Sequence, residues 1–582
     1  MGHWSEDKKS LAIVTVTVTD PTDFESVAQR GVDIGLFVLP NSAIAPDSPQ
    51  ENMGEVVARI VGTLDVQATL IIVGEVVDLV DVQAKFLSSF TYRSWIVIKR
   101  KNTCRQNQFA LPNQHFGALI YTKYQQGLRH TKTRLQYTYC PVCDRTTKDY
   151  GGKKHTYHEF GTLISDVWRD LEIDLTGDLN PLIERFADLF GVEPYQELLV
   201  LDCRQLVFSQ SQPEQVSQQL PLSLASINAL PKTFVNTILL GDCIENLQKL
   251  PANSVDFVFT DPPYNLKKSY LGYQDDQHIE DYFNWCDRWL AEIIRVLKPG
   301  RTLALLNIPL WAIRHFLFLR QHLQFQNWIV WDALAFPVRL IMPAHYTILC
   351  FTKGPPRELP GFIQPPESIA LPEVHKTFRP LEILADHYCL RSDCVERRSH
   401  QQINDHVPIT DMWTDIHRLK HNSRRVDHPC QLPPALMYRL LTLFTYPEEM
   451  VLDCFNGAGT TTLAAHRLGR QYLGIEVSPD YYQLALDRHQ EVANGLNPFR
   501  KADRDLTAKN SPVPRFTKQK YAVSKKQLQL EVKRIAQELG HLPDRQELAQ
   551  HTQYTIDYYD RYFASWGEVC AAARTTGMSE TK

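Results

Sequence analysis

Residues 260–265, Thr-Asp-Pro-Pro-Tyr-Asn, combine a carboxylate, two prolines and an aromatic ring directly after a short apolar run. An exocyclic amino group on a nucleic-acid base is a poor nucleophile, because its lone pair is delocalised into the ring. Asp261 and the carbonyl of Pro262 can each accept one amino hydrogen and so favour the pyramidal nitrogen that attacks. Pro262 and Pro263 hold the turn rigid, and the Tyr264 ring can stack on the base. The motif predicts a site that activates an amino group, although the same string also occurs in ordinary turns.

A second segment, 451–460, has the pattern of a strand, a glycine turn and a helix start. Gly457 and Gly459 let the backbone approach a ligand closely. The next predicted strand, 472–476, ends in Glu476, and an acid at that position commonly holds a ribose diol. A glycine turn alone can serve packing only. Together with the motif at 260–265, it predicts a nucleoside-bearing cofactor beside the amino-activating turn.

An internal repeat supplies the elements that must position these motifs. Five landmarks recur in the same order: 32–37 with 255–260, 95–97 with 328–330, 115–123 with 345–353, 164–170 with 409–415, and 199–203 with 450–454. Each copy alternates apolar strand runs with segments of helical periodicity. The chain is therefore predicted to hold two related α/β units, at 10–208 and 232–495, joined by a Gln/Ser/Pro-rich linker at 209–231.

The second unit resembles the S-adenosylmethionine-dependent DNA amino-methyltransferases over about residues 235–492. The resemblance rests on four segments: Leu-Gly-Asp-Cys-Ile-Glu at 240–245, Thr-Asp-Pro-Pro-Tyr-Asn at 260–265, His-Pro-Cys-Gln-Leu-Pro at 428–433, and Phe-Asn-Gly-Ala-Gly-Thr at 455–460. The catalytic motif precedes the cofactor glycines, which is the order of the permuted β-type class. The family's usual His-Pro-Thr is His-Pro-Cys here. The implied architecture is two Rossmann-like methyltransferase folds in tandem, the first degenerate.

The resemblance also implies roles for particular residues. The implied catalytic residues are Asp261, Pro262, Pro263 and Tyr264. The implied cofactor is S-adenosylmethionine, with Asp242 near its adenine, Glu476 near its ribose and 453–460 near its methionine half. The cofactor-binding residues are therefore predicted to be Asp242, Asp453, Phe455, Gly457, Gly459, Thr460 and Glu476. The chain between 265 and 428 is expected to contribute target recognition.

The expected reaction is methyl transfer to the exocyclic amino group of a base flipped out of double-stranded DNA, with adenine N6 favoured over cytosine N4 by resemblance. Methylation of RNA or of a protein side-chain amide competes with it. Those relatives commonly show Asn before Pro-Pro and an unpermuted order. A non-catalytic DNA-binding regulator is disfavoured, because the second unit keeps every motif. A separate restriction endonuclease is a candidate partner, and a monomer with an internal pseudo-dimer is a candidate assembly.

The first unit resembles the same family without its chemistry. Val-Leu-Pro-Asn at 38–41 stands where Asp-Pro-Pro-Tyr stands in the second unit. After Leu-Asp-Cys at 201–203 comes Arg-Gln-Leu, with no glycine turn. We predict a catalytically inactive copy with a DNA-binding role. A purely structural half of an internal dimer is the alternative.

Charge is unevenly distributed over the 582 residues, although the net charge is only −4 and excludes a histone-like polycation. Residues 1–90 carry 5 basic and 13 acidic side chains, whereas 91–158 carry 13 basic and 2 acidic ones interleaved with aromatic rings. Such a stretch suits a polyanion such as DNA. The predicted DNA-binding residues are Arg93, Lys99, Arg100, Lys101, Arg105, Lys153 and Lys154. The alternative is a solvated face paired with the acidic first 90 residues.

Cys140 and Cys143, followed by His155 and His158, form a C-x2-C-x11-H-x2-H pattern. Thiolates and imidazoles at these separations can close a tetrahedral zinc site, although the H-x2-H spacing is shorter than in zinc fingers. Free cysteines in a recognition loop are the alternative. The matching part of the second unit has a weaker pair, with four residues between Cys389 and Cys394. The 12 cysteines are otherwise scattered, which indicates a reducing cytosol rather than a disulfide framework.

A basic linker at 496–523 precedes a small all-helical module predicted at 524–577. This module resembles the helical repeat found beside homing endonucleases, which implies accessory DNA binding. Three helices that serve packing or dimerisation are the alternative. The N-terminus shows no secretory signal, and the most apolar window, 302–319, is too interrupted to span a bilayer. We expect a cytoplasmic, nucleoid-associated prokaryotic protein with no membrane partner.

Overall fold

The computed structural model describes residues 11–19, 31–40, 65–85, 90–104, 108–123, 127–146, 161–192, 195, 197–206, 227–266, 269–270, 273–333, 345–364, 378–389, 391–418, 431–499, 523, 525–563, 566–570 and 573. The chain divides into two compact units, 1–508 and 509–582. The larger unit contains two sheets. We call residues 11–206 the first lobe and residues 227–499 the second lobe.

The first lobe is built around a seven-stranded mixed sheet with the order β1-β11-β2-β3-β5-β4-β10. The strands are β1 Ala12–Thr17, β2 Gly31–Val38, β3 Asp65–Gly74, β4 Phe90–Cys104, β5 Asn113–Lys123, β6 Arg134–Leu135, β7 Tyr139–Cys140, β8 Arg145–Thr146, β9 Thr162–Leu163, β10 Val167–Ile173 and β11 Glu197–Asp202. The helices are α1 Val76–Lys85 and α2 Asn180–Phe190. The short strands form two small ribbons, β6 with β9 and β7 with β8.

The second lobe is built around an eight-stranded mixed sheet with the order β12-β23-β22-β13-β16-β18-β17-β21. The strands are β12 Thr237–Leu240, β13 Val255–Thr260, β14 Ser269–Tyr270, β15 Tyr273–Gln274, β16 Leu297–Asn307, β17 Gln324–Asp332, β18 His345–Thr352, β19 Glu382–Leu384, β20 His406–Pro408, β21 Met412–Trp413, β22 Met450–Asp453 and β23 Gln471–Glu476. A short 3-10 turn, Lys232–Phe234, precedes them. The helices are α3 Cys243–Gln248, α4 Ile279–Val296, α5 Pro309–Leu319, α6 Pro360–Ile363, α7 Ser392–His400, α8 Pro434–Phe444, α9 Thr460–Arg467 and α10 Pro479–Ala493.

The central strands follow directly from their sequences. All six residues of β13, Val-Asp-Phe-Val-Phe-Thr, are buried, because parallel neighbours β16 and β22 flank the strand and both faces of the sheet are covered. The buried carboxylate of Asp256 is balanced by Lys298 at 2.7 Å and Arg301 at 3.2 Å. This core places the C-terminal end of β13 beside that of β22.

The two sheets share one strand pattern over six positions. From β11 and from β22, the orders are β11-β2-β3-β5-β4-β10 and β22-β13-β16-β18-β17-β21. In both, the third and fifth strands pair antiparallel with the fourth, and the remaining pairs are parallel. The five landmarks of the internal repeat lie on corresponding strands or directly before them. The sheets differ beyond β11 and β22, where β1 and β23 respectively take the next position.

The lobes meet through pairs of residues at corresponding repeat positions. The Trp95 and Trp328 rings stack with centroids 4.9 Å apart. His115 Nδ1 lies 3.1 Å from Asp411 Oδ1, and His345 Nδ1 lies 3.0 Å from Asp166 Oδ2. Each lobe therefore places its histidine against the aspartate of the other lobe. One hydrophobic core, which includes both tryptophans, continues across the interface.

The smaller unit consists of helices α11 Lys525–Leu539, α12 Arg545–His551, α13 Ile556–Tyr562 and α14 Trp566–Val569 within its described residues. Gly540 ends α11 with φ of 77°, which favours glycine. Asp544 and Glu547 form a capping box at the start of α12. None of the helices given above for either unit combines the length and apolar character needed to cross a bilayer.

Candidate active site

A cavity of about 240 Å³ opens at one edge of the second lobe's sheet. Much of its lining comes from residues at or directly after the ends of β12, β13, β22 and β23. These strands are parallel, so their carboxyl ends meet at the same edge. The cavity therefore brings the turn after β13 and the glycine turn after β22 together across a gap of about 190 residues in sequence. The predicted residues that line it are Asp242, Asp261, Pro262, Pro263, Tyr264, Asp453, Phe455, Gly457, Thr460 and Glu476.

The turn after β13 is held by hydrogen bonds from three aromatic side chains. The Tyr264 hydroxyl donates to Asp261 Oδ1 at 2.7 Å. The Tyr282 hydroxyl donates to the carbonyl of Pro263 at 2.7 Å, and the Trp311 indole donates to the carbonyl of Tyr264 at 2.8 Å. The Asp261 carboxylate therefore has a set orientation at the cavity wall, and the turn that carries it is rigid.

Beside this turn stands an aromatic wall, formed by Tyr264, Trp331 and Tyr346. Trp331 and Tyr346 are directly opposite each other on β17 and β18, and their rings stack with centroids 5.5 Å apart. The Tyr346 and Tyr264 centroids are 6.2 Å apart, and the Arg418 guanidinium lies 5.4 Å from the Tyr346 ring centre. Trp331, Tyr346 and Arg418 were not predicted from the sequence. The repeat landmarks were the available signal, since Trp331 directly follows the one at 328–330 and Tyr346 lies within the one at 345–353.

The glycine turn has the conformation its residues favour. Gly457 and Gly459 have φ of 50° and 81°, and Gly459 directly precedes α9. Glu476 accepts the amide of Gly457 at 2.7 Å through Oε2 and the amide of Ser478 at 2.9 Å through Oε1. Burial raises the pKa of the Glu476 carboxyl. Gly459 belongs to the same turn, and of the predicted cofactor-binding residues it is the one that does not line the cavity.

Two further acids border the cavity in different environments. Burial raises the pKa of Asp453 to about 7, and the charges of Asp261 and Glu476 act in the same direction. Asp453 Oδ1 accepts the Phe455 amide at 3.0 Å. Asp242 caps α3 by accepting the amides of the second and third helical residues at 2.8 and 3.1 Å. The cavity lining thus contains buried acids as well as aromatic rings.

The predicted DNA-binding residues that the structure describes are mostly engaged with protein partners. Lys99 forms ion pairs with Asp386 at 2.7 Å and with Glu172 at 2.8 Å. Arg100 contacts both carboxylate oxygens of Glu75, at 2.6 and 2.7 Å. The pairing of Arg100 with an acid of the first 90 residues is the contact expected under the alternative interpretation of the basic stretch.

The remaining predicted bases differ in their surroundings. The Arg93 guanidinium donates to the Thr122 hydroxyl at 2.7 Å. Lys101 is exposed. Arg105, Lys153 and Lys154 lie outside the described residues. DNA contact by this set stays a prediction, and the ion pairs of Lys99 and Arg100 weigh against those two members.

The structure describes two of the four predicted zinc ligands and places a second cysteine pair beside them. Cys140 and Cys143 lie beside Cys389 and Cys394 of the second lobe, with the four sulfurs within 4.8 Å of one another. His155 and His158, predicted as the second pair of ligands, lie outside the described residues. Sequence spacing pointed to the nearer histidines because the second cysteine pair is about 250 residues away.

Comparison with protein families assigns two segments. Residues 255–487 match a family of DNA methylases of the N6/N4 type. This segment is a DNA methylase domain. Residues 523–573 match the homing endonuclease associated repeat. Both resemblances seen in the sequence are therefore confirmed.

The DNA methylase domain also accounts for similarity to individual proteins. The chain is 31% identical over 259 residues to the type II methyltransferase M.BamHI of Bacillus amyloliquefaciens, covering 44% of this chain and 57% of the relative. It is 28% identical over 265 residues to the type II methyltransferase M.HpaI of Haemophilus parainfluenzae, covering 45% of this chain and 76% of that relative. The matched part of the chain thus spans little more than half of the length of M.BamHI.

Among solved structures, a putative DNA modification methylase from Thermus thermophilus is 27% identical and has a TM-score of 0.30. The alignment covers 45% of this chain and 97% of that one. The cytosine-N4-specific PvuII DNA methyltransferase is 16% identical with a TM-score of 0.31, covering 47% of this chain and 88% of that one.

Proposed function

We propose that the protein is a site-specific DNA methyltransferase that transfers a methyl group from S-adenosylmethionine to the exocyclic amino group of a flipped base. One observation carries the proposal. Within a DNA methylase domain, a single cavity is lined by the Asp-Pro-Pro-Tyr turn and by the glycine turn. An amine-activating group and a nucleoside-binding turn are both needed for this reaction, and they must face the same space.

The residues around the cavity fit S-adenosylmethionine. Asn456 lines it, and its buried side-chain Nδ2 has no hydrogen-bond partner among the described residues, so a donor remains for a ligand. Glu476 would hold the ribose hydroxyls, Asp242 would lie near the adenine, and the turn from Asp453 to Thr460 would hold the methionine half. When bound, the cofactor supplies a methyl group on a positively charged sulfur. The carboxyl groups of Asp453 and Glu476, which line the cavity, suit this positive charge.

The turn after β13 and the aromatic wall would prepare the target amine. Asp261 accepts one amino hydrogen and the Pro262 carbonyl accepts the other, so the nitrogen lone pair turns towards the methyl group. The Tyr264 hydroxyl orients the Asp261 carboxylate through its bond of 2.7 Å. The rings of Tyr264 and Tyr346 would stack on the extruded base. The nitrogen–carbon bond forms as the sulfur–carbon bond breaks, and the amine then releases one proton.

Adenine N6 is the proposed target, with cytosine N4 as the second candidate. The test is to incubate the full chain with DNA and methyl-labelled S-adenosylmethionine, and then to separate the nucleosides by mass spectrometry. We expect N6-methyladenine. N4-methylcytosine would support the second candidate and leave the methyltransferase proposal intact. DNA binding without methyl transfer would instead support the regulator.

The first lobe is proposed to be a degenerate copy of the methyltransferase fold, with borders 10–208, followed by a linker at 209–231 and the catalytic domain at 232–495. The shared strand order over six positions supports this duplication. Val38 stands at the position of Asp261, so the first lobe lacks the amine acceptor. The basic linker at 496–523 and the helical module at 524–577 are proposed to add DNA contacts. A separate restriction endonuclease is proposed as a partner.

A further inference from the structure

Four cysteines meet where the two lobes touch. Cys140 and Cys143 belong to the β7–β8 hairpin of the first lobe, and Cys389 and Cys394 lie before and within the first turn of α7 in the second lobe. Cys140 Sγ is 3.7 Å from Cys394 Sγ, and Cys143 Sγ is 3.6 Å from Cys389 Sγ. Both of these sulfur–sulfur contacts join one lobe to the other.

These distances match the edges of a tetrahedral metal site. Zinc binds thiolates at about 2.3 Å, so two sulfurs of a tetrahedral site lie about 3.8 Å apart. A disulfide would instead require a separation of about 2.05 Å. All four sulfurs lie within 4.8 Å of one another, so the cluster is a group of four rather than two separate pairs.

The surroundings are suited to a negatively charged metal centre. Zn²⁺ with four thiolates carries a net charge of about −2, which calls for positive partners nearby. The Arg398 guanidinium is fully buried and donates to Cys394 Sγ at 3.0 Å. Asp405 holds this guanidinium at 2.6 Å. Partners of this kind orient the ligands of structural metal sites.

The hairpin that carries the first cysteine pair has a rigid turn. Asp144, directly after Cys143, has φ of 50°, and its carboxylate accepts the Tyr139 hydroxyl at 2.8 Å. The turn therefore points both cysteines of the hairpin towards the second lobe, where the other pair lies. Cys140, Cys389 and Cys394 are buried, and Cys143 is half-buried.

We propose that Cys140, Cys143, Cys389 and Cys394 bind one zinc ion as a closed structural site that fastens the first lobe to the second. Four protein ligands complete the tetrahedron, so no position remains for a reacting water. Each thiol loses its proton on binding, and the metal then stabilises only the folded arrangement in which both lobes contribute ligands. This proposal does not depend on the methyltransferase activity.

The test measures the metal content of the purified full chain by mass spectrometry. We expect one zinc per chain in the wild type and loss of it in both double variants, Cys140→Ser/Cys143→Ser and Cys389→Ser/Cys394→Ser. The matched control is Cys203→Ser, which removes a buried thiol of the first lobe outside the cluster and should keep the zinc.

A third double variant, His155→Ala/His158→Ala, separates this ligand set from the one predicted by spacing. It should keep the zinc. Loss of zinc in this variant with retention in Cys389→Ser/Cys394→Ser would overturn the proposal, as would a wild type that contains no zinc or contains iron instead. If a double variant misfolds, the ligand set is determined instead from the absorption spectrum of the wild type with cobalt in place of zinc. The spectrum of a tetrahedral four-thiolate site supports the proposal, and any other ligand set overturns it.

Discussion

Replacement of Asp261 by asparagine tests the amine-activating role with little change in shape. The new side chain keeps one acceptor oxygen and replaces the other with an NH2 donor. In the native protein, Oδ1 already accepts the Tyr264 hydroxyl at 2.7 Å. If the amide oxygen keeps that bond, the NH2 group faces the target amine, donor against donor. If the amide flips, its NH2 group donates to the Tyr264 hydroxyl oxygen, and the acceptor that faces the amine is a neutral amide oxygen instead of a carboxylate.

The first arrangement removes a preorganised contact to a nitrogen on which positive charge develops, and the second replaces its charged acceptor with a weaker neutral one. Such a contact is worth about 100- to 1,000-fold in kcat, or roughly 2.7–4 kcal/mol. Asp261→Asn should therefore lower kcat by that factor, and Asp261→Ala should abolish methyl transfer. Tyr264→Phe removes only the bond that orients the carboxylate and should cost about tenfold. The affinity for S-adenosylmethionine should be unchanged in all three, because Asp261 faces the amine.

The assay is single-turnover transfer of labelled methyl to DNA, with cofactor affinity measured separately by calorimetry. Pro40→Ala is the matched control, because it alters the corresponding turn of the first lobe and should leave kcat unchanged. Wild-type turnover in Asp261→Asn would refute the role of Asp261. Loss of activity in Pro40→Ala with DNA affinity and folding intact would refute the inactive-copy assignment.

Three further predictions follow from the charges described above. Glu476→Gln weakens the hold on the Gly457 amide and on the ribose, so cofactor affinity should fall at least about tenfold; an unchanged dissociation constant would contradict this role. The pKa of Asp453, raised to about 7 by burial, means that folding favours the protonated acid. Its contribution to the unfolding free energy is complete below about pH 4 and lost as the pH rises through 7. Urea unfolding without cofactor should show this loss between about pH 4 and 7 in the wild type but not in Asp453→Asn. The same dependence of the unfolding free energy on pH in both proteins would count against it. Changing Lys99, Arg100 and Lys101 together to Ala should reduce the salt slope of DNA binding by about 0.9, the value for one phosphate contact, because two of the three are already ion-paired. A reduction three times as large in a salt titration would show that those pairs open on DNA.

The part of the site that could be predicted from the sequence lies on single, continuous segments. The acceptor turn at 260–265 and the glycine turn at 451–460 each follow a buried parallel strand. Their chemistry depends on neighbours in sequence and on the rule that parallel strands end at one edge. Recognising both strands as parallel was therefore sufficient to predict that Asp261 and Gly457 lie close together.

The part that could not be predicted depends on contacts between distant segments. Trp331 and Tyr346 meet because β17 and β18 pair in one register of an antiparallel ladder, which the sequence pattern alone does not specify. Cys389 joins Cys143 only because the two lobes pack together. The ion pair of Arg100 with Glu75 likewise depends on the side-chain conformations at the end of β4 and the start of α1.

The interface joins the first lobe to the two strands that carry the aromatic wall of the cavity. Asp332 and His345 are opposite each other on β17 and β18, one residue along from the Trp331–Tyr346 pair. Both are contacted by the first lobe, where Asp166 lies 3.0 Å from His345 and Arg169 lies 3.5 Å from Asp332. Asp332 and His345, the second lobe's residues in these contacts, are both buried. The first lobe thus supports the strand ends that carry the aromatic wall, although none of its described residues lines the cavity. Loss of the acceptor turn at 38–41 leaves this support intact, because Asp166 and Arg169 lie on a different segment, just before and within β10.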